Sequence, residues 1–277
     1  MTNTPLTDST GTASQFGEEW WRYPEILPIH EDQFLAWIQP IAPSFFSGKT
    51  FLDAGCGMGR NSYWPLKYGA TSGVAFDFDP RTVATARKNL APFSTCRVEQ
   101  FSIYDIPYEN QFDIVFCVGV LHHLAQPAQA VAQLVKALKP GGTLILWVYG
   151  KEGNSLVLFF VNVFRRISRG WSAQALIWFS RVLTFLMQPF LYAPWKSPYL
   201  RFLRGLSFRH REAIVFDQLL PSIAHYWARE EALALVAGFP VHVTNVTHTR
   251  GMSWTLVAIK DALFNKGNSG PARQPNL

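Results

Sequence analysis

Residues 51–60 read Phe51-Leu52-Asp53-Ala54-Gly55-Cys56-Gly57-Met58-Gly59-Arg60. An apolar run ends in an acid, and glycine then takes every second position. This pattern predicts a buried strand that passes straight into a turn too tight for side chains. Without Cβ atoms, backbone N–H groups of such a turn can approach a bound ligand. A second apolar run, Gly73 to Phe76, ends in Asp77, twenty-two positions after Gly55. That is close to the spacing of about 20 at which a carboxylate meets ribose hydroxyls in nucleotide-binding α/β folds. The pair of signals points to a ligand that carries an adenosine.

The surrounding text supports an α/β domain. Short β-rich runs at Thr50–Asp53, Thr71–Phe76, Cys96–Phe101, Phe112–Val118 and Gly142–Val148 alternate with helical stretches at Asn61–Tyr68, Pro80–Leu90 and Pro127–Leu138. Such alternation predicts a mostly parallel sheet covered by helices on both faces. Lys139-Pro140-Gly141-Gly142 should stop the last helix and start the next strand. Near the end, Val241–His248 and Met252–Lys260 flank Thr249-Arg250-Gly251 and read as an antiparallel hairpin. Asp32–Ile41 suits a helix ahead of the first strand.

The spacing of the glycines excludes two common phosphate loops. G-x-G-x-x-G is broken because Arg60 follows Gly59, and no Gly-Lys-Ser/Thr closes a P-loop. The G-x-G-x-G turn between Asp53 and Asp77 resembles the first motif of the class I S-adenosylmethionine-dependent methyltransferases. The resemblance covers residues 51–150, extends more loosely over 216–260, and does not reach 151–215. It implies a Rossmann-like doubly wound sheet, mostly parallel with an antiparallel last strand, interrupted by a helical insertion.

The same resemblance implies roles at particular positions. Asp53 would orient the cofactor's amino group, directly or through water. The backbone of Ala54, Gly55, Cys56 and Gly57 would line its methionyl part, with Gly59 completing the turn. Asp77 would accept the ribose hydroxyls and Phe78 would pack on adenine. The family's usual acid at the adenine edge is here Ser102, so Ser102 and the Ile103 backbone take that place. Val118 and Gly119 would lie beside the reactive methyl. Asp79 precedes Pro80 and is expected to cap a helix rather than touch ligand.

On the acceptor side, His122 and His123 are candidate catalytic groups, His123 preferred, because imidazole titrates near ~6.5 and can take a hydroxyl proton. Trp20, Tyr23, Tyr149, His225, Tyr226, His248 and Arg250 are candidate substrate contacts. Methyl transfer from a sulfonium needs alignment more than acid catalysis. No metal-ligand spacing occurs, so a metal-independent reaction is expected.

Composition sets the remaining bounds. Of the 277 residues 48% are hydrophobic and 16% charged, which suits an ordered globular chain. Cys56, Cys96 and Cys117 form no C-x-x-C pair and read as reduced thiols of a cytoplasmic protein. The polar N-terminus lacks a basic-then-apolar leader pattern and, like the tail, is expected to be disordered.

Residues 151–211 hold ten cations against the single carboxylate Glu152, a local +9 in a chain of net +6, so the rest carries −3. That distribution argues against general nucleic-acid binding and assigns the basic character to the insertion. Its uncharged runs, 170–180 and 182–195, fall short of the ~20 residues of a membrane span. Peripheral membrane contact through 155–211 remains a reading beside that of a helical cap roofing an apolar acceptor pocket.

The organisation expected is an N-terminal tail with an aromatic helical cap (1–47), a cofactor-binding core (48–150), the insertion (151–215), completion of the core (216–261) and a tail (262–277). The function expected is O-methylation of a hydrophobic or lipid-like small molecule. A catalytically silent S-adenosylmethionine-binding protein is the alternative, and a nucleic-acid methyltransferase a weaker one.

Overall fold

The computed structural model describes residues 24–154, 163–164, 171, 173–192, 198–219 and 223–262. Trp20 and Tyr23, the N-terminal tail and the tail beyond residue 262 lie outside the described residues.

Seven strands form one sheet: β1 Thr50–Ala54, β2 Ser72–Asp77, β3 Cys96–Gln100, β4 Phe112–Val118, β5 Leu138–Tyr149, β6 Val241–Thr249 and β7 Ser253–Lys260, in the order β3-β2-β1-β4-β5-β7-β6. The first five run parallel, and β7 is antiparallel to both neighbours. The chain therefore starts mid-sheet and winds outward in both directions. That arrangement places a crevice at the carboxyl ends of β1 and β4, where strand order reverses.

Period-two alternation builds two cores. Leu52, Ala54, Val74, Phe76, Val115, Cys117, Leu144 and Leu146 face one side, under helix α4 (Pro127–Ala137) and helix α8 (Arg229–Ala234). Phe51, Ala75, Ile114, Phe116, Ile145 and Trp147 face the other. That side is covered by α1 (Ile29–Trp37), α2 (Arg60–Lys67) and α3 (Pro80–Leu90). The expected doubly wound architecture is thus present.

Local boundaries differ for local reasons. The first helix spans Ile29–Trp37, not Asp32–Ile41, because Pro40 disfavours helical backbone before it. Its Phe34 and Trp37 are buried, so it belongs to the sheet's covering layer rather than to a cap over the site. Strand β5 begins at Leu138, ahead of the glycine pair, because Leu138 pairs with Phe112 across a register shift.

The insertion contributes α5 (Ala173–Tyr192), α6 (Pro198–Arg204) and α7 (Phe208–Leu219). The boundary expected at 215/216 cuts α7, whose Phe216 packs with Leu176 and Ile177 of α5. The insertion therefore reaches Leu219, and the core resumes with Ile223.

Candidate functional site

The glycine turn between β1 and α2 closes on β2 more tightly than the sequence suggests. The N–H groups of Gly55 and Cys56 donate to the Phe76 carbonyl at 3.0 and 2.8 Å, and Gly59 N–H donates to the Cys56 carbonyl at 2.9 Å. Gly57 N–H donates to Asp77 Oδ2 at 3.0 Å. The expectation that these N–H groups reach out to a ligand is corrected: they are used inside the turn, because the loop crosses the carbonyl and carboxylate at the end of β2. A pyrophosphate would find little to bind here.

The glycines are needed sterically as well. Gly55 has φ +75°, and a Cβ there would stand 2.4 Å from Val120 Cγ2 in the segment after β4. Gly59, at φ +86°, sits at the N-terminus of α2, where a Cβ would meet Leu90 at 3.0 Å.

Asp53 is fully buried. Its Oδ2 accepts the Ser62 hydroxyl at 2.6 Å, while Oδ1 has no hydrogen-bond partner among the described residues. Burial pushes its carboxyl up to about 7. Asn61 Oδ1, also buried, likewise lacks a partner among the described residues. Asp77 is pushed up to about 6, again chiefly by burial, against the hydrogen bonds from Gly57 and Asp79. Beside it Phe78 leaves half of its surface open, at 51% exposure.

Orphaned acceptors, two carboxylates whose charged form burial disfavours and an open aromatic face fit a cationic amino acid joined to a nucleoside. Asp53 and Asn61 would serve its ammonium group, Asp77 its ribose, and Phe78 its base.

Other assignments sort clearly. Asp79 accepts from the N–H groups of Arg81 and Thr82 at 2.8 and 3.4 Å, so it caps α3 as expected. Ser102 Oγ accepts the Tyr104 N–H at 3.2 Å and its carbonyl accepts from Asp105, so it closes a turn next to β3; Ile103 is buried in the core. Val118 ends β4, and Gly119 takes φ +85° with open space around its missing Cβ apart from Trp147 at 3.8 Å.

The residues expected on the acceptor side come together from three separate stretches. His122 is fully buried and stacks on Tyr149, with centroids 3.6 Å apart; Tyr149 in turn stacks on Tyr226 at 5.3 Å. His123 Nδ1 lies 2.9 Å from the Ile223 carbonyl, and His225 N–H donates to the His122 carbonyl at 2.8 Å. Trp227 N–H donates to the Tyr149 carbonyl at 3.0 Å. Residues 223–227 are thereby laced across the ends of β4 and β5. His248 and Arg250 are elsewhere: His248 is exposed and stacks on Trp254, and Arg250 occupies the β6–β7 turn at φ 52°.

Sequence reading missed Ser62 and Ile223. Ser62 falls three positions after Gly59, on the first turn of a helix that faces Asp53, a signal that was available. The Ile223 carbonyl carries no side-chain signal.

A family model described as "Methyltransferase domain" matches residues 52–146, which run from β1 through β5. The chain carries a class I S-adenosylmethionine-dependent methyltransferase domain. The ubiquinone biosynthesis O-methyltransferase of Thiobacillus denitrificans is 29% identical to it over 158 residues, 54% of this chain and 66% of that protein. The tRNA U34 carboxymethyltransferase of Pseudoalteromonas translucida is 28% identical over 176 residues, 59% and 50% of the two chains. The chain thus spans between half and two thirds of the length of these relatives.

Magnesium protoporphyrin IX methyltransferase from Synechocystis PCC 6803, solved with bound SAM, superposes with a TM-score of 0.55 at 14% identity. The match covers 94% of this chain and all of that one, and shows the shared methyltransferase fold. Among the described residues no three His, Cys, Asp or Glu side chains gather as metal ligands.

Proposed function

We propose that this methyltransferase domain methylates an oxygen of an apolar, lipid-like small molecule. The observation that carries the reading is the bond between His123 and Ile223 at 2.9 Å. A carbonyl oxygen only accepts, so Nδ1 must hold the proton. The neutral ring then carries its lone pair on Nε2, which is the form required of a general base.

S-adenosylmethionine, when bound, supplies a methyl on a sulfonium whose thioether leaves without protonation. Asp53, Asp77 and Phe78 would hold it, and ionisation of the two carboxylates would strengthen that hold on a cation. His122, Tyr149 and Tyr226 form the aromatic wall against which a flat or apolar acceptor can rest. His123 takes the acceptor's hydroxyl proton as the oxygen attacks. Alignment of the two reactants contributes on the order of 7–11 kcal/mol, more than the ~10²–10⁴-fold of the base.

The chain is to be incubated with methyl-labelled cofactor and, in parallel, a lipid-containing metabolite extract and total RNA. Label in an organic-soluble product is expected. Tight cofactor binding without label transfer would instead favour a silent binding protein, and label recovered in RNA would move the substrate class to nucleic acid.

A further inference from the structure

Helix α5 turns a mixed polar and apolar face inward and large apolar side chains outward. Its buried side carries Ser180 and Thr184 beside Leu176, Ile177 and Leu191. Ser180 Oγ and Thr184 Oγ1 bond back to the carbonyls of Leu176 and Ser180 at 2.8 and 2.7 Å. Gln188 Oε1 accepts from Arg211 of α7 at 2.6 Å, and Arg181 pairs with Glu212 of α7 at 3.2 Å.

The outer side holds Trp178, Phe185, Leu186, Phe190 and Tyr192, each between 57% and 69% exposed. At 3.6 residues per turn, Trp178, Phe185 and Tyr192 fall nearly on one line, and Leu186 and Phe190 lie roughly 80–120° round the helix from it, so the exposed rings spread over the half of the helix that faces away from the buried residues. A cap that roofed the sheet would bury these rings. Here the sheet's two cores stop short of them, and the described insertion helices pack chiefly on one another. Five large apolar side chains exposed on one helix are unusual on a surface that meets only water.

Charge indicates what meets this face. Helices α5 to α7 carry Arg181, Arg201, Arg204, Arg209 and Arg211 against only Glu212 and Asp217. Arg181, paired with Glu212, borders the apolar face, and Arg201 and Arg209 are exposed on the neighbouring helices. Apolar rings bordered by cations match the two layers of an anionic bilayer surface, acyl chains below and phosphates above.

The stretch Gln174–Tyr192 is long and apolar enough to cross a membrane, with mean hydropathy 1.3. Its other side, however, is occupied by polar contacts to α7, which suits lying in the interface with one face immersed.

We propose that the outer face of α5 docks on a lipid bilayer containing anionic headgroups. The surface is close in sequence to the candidate site: α7 ends at Leu219, and Ile223, whose carbonyl lies against His123, follows four positions later. Docking stands independently of the methyl-transfer reading, because it is measured without an acceptor.

The test is flotation of the full chain with vesicles of phosphatidylcholine alone and of phosphatidylcholine mixed with phosphatidylglycerol. Partitioning to the mixed vesicles should be about tenfold or more stronger, and should fall as salt is added. The double variant Phe185→Ser/Phe190→Ser should lose about tenfold or more of that partitioning. Its helical circular dichroism and its affinity for S-adenosylhomocysteine should match the parent. Equal binding of parent and variant, equal binding to both vesicle types, or no binding at all overturns the proposal. So does a dimer that the double variant dissociates in the absence of lipid affinity, which would assign the face to a second copy of the chain.

Discussion

The carboxylate of Asp77 accepts the Gly57 N–H at 3.0 Å, so the acid at the end of β2 also holds the glycine turn after β1. One residue thereby shapes the loop and, under the proposed function, accepts the ribose hydroxyls. Asp77→Ala should weaken binding of S-adenosylhomocysteine about 10–100-fold, the value of one or two charge-assisted hydrogen bonds. Asp77→Asn, which keeps an acceptor for Gly57, should lose less. Calorimetry on both variants, with folding checked by circular dichroism, decides the point. Unaltered affinity in Asp77→Ala removes the residue from the cofactor site.

Asp53 predicts opposite responses to pH for stability and binding. Its folded value near 7 lies above the ~3.9 of an unfolded aspartate, so the folded chain holds the proton more tightly. The stability this gives is fully present below about pH 4 and is lost as pH rises through about 7. Asp53→Asn should therefore raise the melting temperature of the ligand-free chain by roughly 2–4 °C at about pH 8, and by less at about pH 5. Cofactor affinity of the parent should instead rise over the same interval, because a cationic ligand favours the ionised carboxylate. Thermal scans in which the variant melts lower at the higher pH would contradict the buried-charge account.

His123 and His122 should separate kinetically. With an acceptor identified by label transfer, His123→Gln should reduce kcat about 10²–10⁴-fold while cofactor affinity holds. His122→Phe preserves a ring against Tyr149 and should leave kcat within about tenfold of the parent. A wild-type rate in His123→Gln would end its role as base.

Gly55 and Val120 form a steric pair. A Cβ at Gly55 would lie 2.4 Å from Val120 Cγ2, on backbone already at φ +75°. Gly55→Ala should destabilise the chain by about 1–3 kcal/mol. Adding Val120→Ala should recover the steric part and leave the backbone part. Urea melts of the two variants measure both, and the absence of any recovery would place the whole penalty in the backbone.

Much of the core was legible because its causes are local. Alternation along Phe51-Leu52-Asp53-Ala54 sets which side chain faces which helix layer, and a glycine at φ +86° before Arg60 ends the turn and starts α2. The expected adenine edge is less legible: the place of Ser102 follows only from the family resemblance, and its hydroxyl accepts the Tyr104 N–H of its own turn. Gly73 gave no signal at all, yet a Cβ there would stand 2.2 Å from the Phe51 ring on the neighbouring strand.

By itself the amino-acid order determined the doubly wound sheet, the glycine turn and the two carboxylates at its rim, since each follows from backbone sterics or from neighbours a few residues apart. Only the tertiary structure decided that Gly55, Cys56 and Gly57 give their N–H groups to β2 and that α5 shows its rings to the outside. It alone decided that His123 is held by a carbonyl 100 positions away. Contacts of that reach depend on how separate elements pack, and side-chain chemistry along a chain does not record which backbone oxygen will arrive beside it.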